Sequence, residues 1–177
     1  MLFSCKPKQK GGFTLIELLS VMLVIAVLAA IAAPFGLRFL GRYKATVVRD
    51  EAFVAIRQTQ DKAQQEKRVW QFAIRQTVDG TEWTNSPGTS IANNAVWQEI
   101  GDSSIKIDAE TTFATSGDVR YVRFDDSGNI QYRLGRLTFH SKYAPDIKRC
   151  IIVSTLIGAM RKAEEQSAPD EDNNFCY

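Results

Sequence analysis

The 25 residues from Phe13 to Leu37 carry a single formal charge, on Glu17. Inside this run, Leu18 to Ala33 has no charge at all, and its one polar side chain is Ser20. About 20 consecutive apolar residues suffice to cross the hydrocarbon core of a bilayer. The run therefore sets the plan of the whole chain: a membrane-competent segment first, a water-soluble part after it. The chain beyond Leu37 is polar and rich in Thr, Asn, Asp and Arg, as that plan requires.

The residues before the run are basic. Lys6, Lys8 and Lys10 predict a cytoplasmic N-terminus with the bulk of the chain on the other side. A secretory signal peptide also starts basic, continues apolar and ends at a small-x-small cut site. Ala29-Ala30-Ile31-Ala32-Ala33 offers such a site, but the apolar run is long for a signal core. The formal net charge is +2, and without the first twelve residues 19 basic side chains face 20 acidic ones. A chain so close to neutrality has no general attraction for nucleic acid or anionic lipid. The leading lysines therefore concern targeting.

Between leader and run stands Lys10-Gly11-Gly12-Phe13-Thr14-Leu15-Ile16-Glu17-Leu18-Leu19. This resembles the type IV prepilin and type II secretion pseudopilin family, whose leader ends in Gly and is followed by Phe-Thr-Leu-Ile-Glu. The resemblance implies that a prepilin peptidase cuts between Gly12 and Phe13 and that the new amine of Phe13 is N-methylated. Glycine beside the scissile bond suits a protease, because it leaves the backbone uncovered. Glu17 is the physical puzzle, since a carboxylate within a membrane helix costs a few kcal/mol on insertion scales. In the family this acid meets the N-terminal amine of a neighbouring subunit during assembly. The alternative is an acid near enough to the helix end to sit among headgroups. Pro34 lacks a backbone donor and is expected to kink or interrupt the helix, with Gly36 adding give.

Four segments result from this reading: a cleaved leader over 1–12, a transmembrane or filament-core helix over 13–37, an amphipathic half over 38–67, and a β-rich periplasmic head over 68–177. In the amphipathic half, Ala45, Val48, Ala52, Ile56, Thr59 and Ala63 recur at three- and four-residue steps, with Arg42, Arg49, Arg57 and Gln64 away from that stripe. Beyond Arg68 the period shortens. Strands are expected at Val69–Ile74, Ser104–Asp108, Arg120–Phe124, Ile130–Arg133, Arg136–His140 and from Cys150, whereas Thr77–Ser90 is rich in turn residues. Ile151–Ile157 favours a strand, Ala159–Gln166 holds helix formers, and Pro169–Asn174 reads as an acidic surface loop. The fold class is α+β: one long helix packed on an antiparallel sheet.

Of three cysteines, Cys5 belongs to the leader, which leaves Cys150 and Cys176 as an even pair in an exported domain. A disulfide is the natural reading, and it resembles the C-terminal disulfide loop of many pilins; two free, buried thiols are the alternative. Catalysis finds little support. His140 is the one histidine and lies in an alternating strand pattern, while no phosphate-cradling glycine loop or zinc spacing occurs. No cofactor and no metal is implied. Asp125-Asp126-Ser127-Gly128-Asn129 has oxygen ligands suited to calcium, but between two strands it reads better as a hairpin turn. Trp70, Trp83 and Trp97 read as core or staple residues. Arg120, Arg123, Arg133, Arg136, Lys148 and Arg149 read as the wet side of a sheet rather than a DNA-binding face.

The sequence thus points to a structural subunit, a minor pilin or pseudopilin, of a type IV pilus or type II secretion pseudopilus. It would sit in the inner membrane with its head in the periplasm before joining the filament. The partners implied are prepilin peptidase, other subunits of the same filament and the assembly platform of the inner membrane; nucleic acid is disfavoured. The strand pattern around Gly128 and the strand carrying Cys150 resemble the GspH/FimT-like minor pseudopilins and minor subunits of the mannose-sensitive haemagglutinin type. The rival readings are an adhesin or DNA-binding minor pilin displayed on such a filament, and a single-span envelope protein that never polymerises.

Overall fold

The computed structural model describes residues 12–91 and 95–177. Cys5, Lys6, Lys8, Lys10 and Gly11, and with them all of the expected leader except Gly12, lie outside the described residues. A single helix, α1 (Leu15–Glu66), precedes ten strands. The chain divides into two units, one ending at Gly36 and the other spanning Leu37–Tyr177, and α1 contributes to both.

In the first unit every residue from Leu15 to Gly36 is exposed. Leu15, Leu19, Met22, Val24, Leu28 and Ile31 all project into open space, on every side of the helix. An all-apolar helix with no polar face has no stable home in water, and this stretch is long and apolar enough to cross a membrane. Pro34 lies within the helix. Lacking an N–H, it cannot donate to the carbonyl one turn back, yet helix continues on both sides of it.

The second unit is built on the remainder of α1. Gly41, Ala45, Val48, Ala52, Ala55, Ile56, Thr59 and Ala63 are buried along one stripe. The expected six-residue stripe is thus the buried one. Its small side chains let the helix backbone lie close to the sheets beneath. Two antiparallel sheets, rather than one, receive it. The larger comprises β1 (Trp70–Gln76), β2 (Gly80–Pro87), β3 (Gln98–Asp102), β5 (Ala114–Ser116), β6 (Val119–Phe124) and β7 (Ile130–Gln131). Its order is β3-β2-β1-β6-β5, with β7 also on β6. The smaller sheet, in the order β10-β9-β8-β4, uses β4 (Ile105–Ile107), β8 (Gly135–Ser141), β9 (Ala144–Val153) and β10 (Met160–Glu164). One core joins helix and sheets, with Phe72, Ile74, Phe124, Leu137, Phe139 and Ile151 at its centre. Each such side chain stabilises the fold by roughly 1.5–3 kcal/mol when fully buried.

Gln60 locks the two sheets to the helix. Its Nε2 donates to the Gly128 carbonyl at 2.8 Å and to the Gly158 carbonyl at 3.2 Å. Gly128 belongs to the β6–β7 turn and Gly158 to the β9–β10 turn. A Cβ on Gly158 would stand 2.3 Å from Gln60 Nε2, at a φ of +76°, so this position admits glycine alone.

Three local expectations are corrected. Thr77–Ser90 contains β2, because paired strands on both sides, β1 and β3, outweigh its turn-prone composition. Ala159–Gln166 contains β10 rather than helix, since Met160–Glu164 pairs in register with Arg149–Val153; non-local pairing overrides a helix-favouring composition. Arg49 is buried, at 7% exposure, rather than standing away from the helix stripe.

Candidate functional site

Thr14 starts the helix. Its side-chain oxygen accepts from the Glu17 amide at 3.3 Å, and its carbonyl accepts from the Leu18 amide at 3.1 Å. Thr-Leu-Ile-Glu therefore has the spacing of a capping box, with a hydroxyl at the N-cap and an acid three residues on. Glu17 also lies in the first turn, where a carboxylate complements the exposed amide dipoles. Its exposed position leaves the carboxylate free to meet another chain. The capping role was readable in the spacing of Thr14 and Glu17, but the stronger puzzle of a membrane acid obscured it. Gly12 and Phe13 precede the helix in exposed backbone outside any helix or strand, accessible as a protease requires of its substrate.

Residues 7–33 match the family described as a prokaryotic N-terminal methylation motif, which is the signature of type IV prepilins. The motif supports a type IV pilin-like substrate of prepilin peptidase and points to a structural protein rather than an enzyme. No curated protein and no solved structure matches the chain.

At the other end of the chain, Cys150 on β9 and Cys176 are joined in a disulfide. Both are fully buried. The tail is held by more than that bond. Glu110 accepts from the Phe175 amide at 2.9 Å, from the Cys176 amide at 3.2 Å and from Lys148 Nζ at 2.6 Å. Arg136 donates to the Cys176 carbonyl and to Asp170. Asp170 in turn accepts from the amides of Asp172 and Asn174, at 3.0 and 2.8 Å, and so shapes the acidic loop. Glu110 gives no sign of this role in the sequence, because its partners lie 38 to 66 residues away.

His140 takes its place in the same cluster, its Nδ1 2.8 Å from Asp108 Oδ2. Burial raises the Asp108 carboxyl, but hydrogen bonds from His140, the Glu110 amide and Lys148 outweigh it and bring it down to about 2. Lys148 is lowered by burial and raised more strongly by Glu110 and Asp108, for a net rise above its ordinary 10.5. A depressed acid contributes stability that is present above its unfolded value, about 3.9, and lost as pH falls through the folded one. The raised lysine acts in the opposite sense: its contribution holds below about 10.4 and is lost as pH rises through the folded value. We expect the melting temperature of the head to fall between roughly pH 4 and pH 2. Asp108→Asn should flatten that slope without removing it, because Asp102, also near 2 through Lys44 and Ser104, remains.

The other candidates resolve into structural roles. Asp125 Oδ1 accepts from the amides of Ser127 and Asn129 at 2.9 and 2.8 Å, and Gly128 has a φ of +81°. Its carboxylate is thus committed to a turn between β6 and β7. Trp70 is buried, and Trp83 stacks on Phe72 with ring centroids 5.9 Å apart. Trp97 lies beneath the Arg75 guanidinium, 4.0 Å from the ring centroid.

The basic residues do not converge on one face. Arg120 and Arg123 belong to the larger sheet, Arg136, Lys148 and Arg149 to the smaller, and Arg123 is bound to Gln71 and the Thr89 carbonyl. Arg149 is not on a wet side at all, being 1% exposed. It donates to Glu165, to the Lys148 carbonyl at 2.8 Å and to Thr46 on α1 at 3.1 Å. Glu164 stands 3.6 Å from Arg49 and 3.7 Å from Arg149. This cluster fastens the helix to β9 and β10.

Proposed function

We propose that the chain is a structural subunit, a minor pilin or pseudopilin, of a type IV pilus or type II secretion pseudopilus. The observation that carries this reading is the methylation motif placed directly on a capped helix whose apolar surface is bare on every side. Such a helix needs lipid before assembly and other helices after it. Cleavage falls between Gly12 and Phe13, and the amine of Phe13 is then methylated. The freed amine of one subunit and Glu17 of its neighbour offset each other's charge within the apolar filament core. Pro34 removes one backbone donor within α1 and so marks where the filament-core helix over 13–37 passes into the amphipathic half over 38–67. Before assembly the helix spans the inner membrane with the head over 68–177 in the periplasm, and the assembly platform and fellow subunits are its partners.

Two measurements test this. Mass analysis of the mature chain should find an N-terminus at methylated Phe13; a mature chain beginning at Met1 would overturn the reading. Glu17→Ala should be cut normally yet enter filaments poorly, because processing reads the glycine side of the bond whereas assembly needs the buried carboxylate. Normal incorporation of Glu17→Ala would refute the charge pairing.

A further inference from the structure

Two surfaces of the head have no role in the contacts described so far, and they are complementary. The first is a groove of about 600 Å³ between α1 and the strands β2 and β3, lined by Glu51, Val54, Gln58, Trp83 and Glu99. Glu51 and Glu99 are exposed, and neither has an ion-pair partner among the described residues. Val54, on the same wall, is 52% exposed. The groove thus sets apolar side chains beside two unpaired acids.

The second is a protruding tip. The Ile130 amide donates to the Leu156 carbonyl at 2.7 Å, which joins β7, just ahead of Tyr132, to the β9–β10 turn. Tyr132, Leu156 and Ile157 are 80%, 67% and 73% exposed there. Arg133 and Arg161 flank them, exposed and likewise without an ion-pair partner among the described residues. Tyr132 has a φ of +93°. A bulky residue in that region costs roughly 1–3 kcal/mol, and a ring left in water regains little of it within its own chain. Strain of this kind is retained where the side chain serves a contact elsewhere.

We propose that a second copy of this chain docks its Tyr132–Arg133 and Leu156–Ile157 tip into the groove between α1 and β3. The docking rests on the filament reading and deepens it by naming head surfaces that meet. Two observations commit the groove to this occupant. Charge is complementary, with two unpaired acids on one patch and two unpaired arginines on the other, each beside exposed apolar side chains. Placement forbids self-filling: β3 and β7 stand at opposite margins of the larger sheet, four strand steps apart, or roughly 19 Å. A contact between different patches of identical chains is heterologous and leaves one groove and one tip free at its ends. It can therefore repeat along a row of subunits, as a symmetric contact cannot.

Cysteine cross-linking of the full chain in membranes tests the contact, in a Cys5→Ser background. Glu99→Cys and Arg133→Cys replace exposed side chains, so both variants keep the fold. The expected result is an oxidised dimer when the two variants are mixed, a ladder when both substitutions share one chain, and loss of the product in either variant alone. Val78→Cys, on the exposed β1–β2 turn, mixed with Arg133→Cys should give no dimer. Absence of the mixed dimer would overturn the proposal, and so would dimers from either single variant, which would signal a symmetric contact. The mature N-terminus is read in the same samples. A processed chain without the cross-link refutes the docking and leaves the subunit reading intact; a cross-linked chain that is never cut does the reverse.

Discussion

Cys176→Ser is expected to lower the unfolding free energy of the head by about 3–4 kcal/mol, on the loop-entropy account of a cross-link. The two cysteines are 26 residues apart in sequence, so the bond removes a substantial share of the unfolded chain's freedom. The loss should not spread evenly. The tail after Glu165 touches the body through a bridge between Glu165 and Cys176 and the Glu110 and Arg136 contacts, and the Gln166–Phe175 backbone bond closes it on itself. Without the disulfide those hydrogen bonds must hold the tail alone, each contributing about 1 kcal/mol net. All three tryptophans lie between residues 70 and 97, within the head, so their fluorescence follows its unfolding in detergent-solubilised full chain. The variant should unfold at markedly lower urea, and limited proteolysis should clip its tail before the sheets open. An unchanged midpoint would show that the polar cluster, and not the disulfide, secures this end.

Arg149→Ala should destabilise the head by about 3 kcal/mol or more. Breaking a buried ion pair by removing one partner costs in the range of 3–5 kcal/mol, because the other charge is left uncompensated. Here the partners are only partly buried, Glu164 and Glu165 being 52% and 27% exposed at the side chain. Their carboxylates can turn toward water, which places the effect at the lower end. The remaining cost is the volume of a fully buried side chain and the freed Thr46 hydroxyl. Arg149→Met, which restores the volume without the charge, separates these causes. If packing dominates, Met recovers most of the stability; if the ion pairs dominate, Met and Ala unfold at nearly the same urea concentration.

These two sites mark the limit of what could be read along the chain. The disulfide was legible because cysteine chemistry needs only an even pair and an oxidising compartment. The buried helix stripe was legible too, since Ala45, Val48, Ala52, Ile56, Thr59 and Ala63 report a period of a single element. Arg49 and Arg149 were misread for the converse reason. An arginine read along its own helix or strand reads as solvated, and only the arrival of Glu164 from β10 beside both, with Glu165 on Arg149, reveals that they are enclosed. Since β10 itself carries helix-favouring residues, the element that supplies those acids was concealed as well.

The sequence by itself determined the two ends of the chain and its class: a signature at Gly12-Phe13 with Glu17, an apolar helix that cannot stay in water, an α+β fold and a cysteine pair beyond that helix. Each rests on local chemistry or on the period of one segment, which neighbours along the chain suffice to express. The tertiary structure alone decided that the head has two sheets, that Gln60 ties both to the helix through Gly128 and Gly158, and that Glu110 holds the tail. It also decided that an acidic groove and a basic, strained tip fall on opposite margins of one sheet. Those outcomes depend on strand pairings and side-chain contacts between residues far apart in the chain, and their energy exists only once the backbone has brought the partners together.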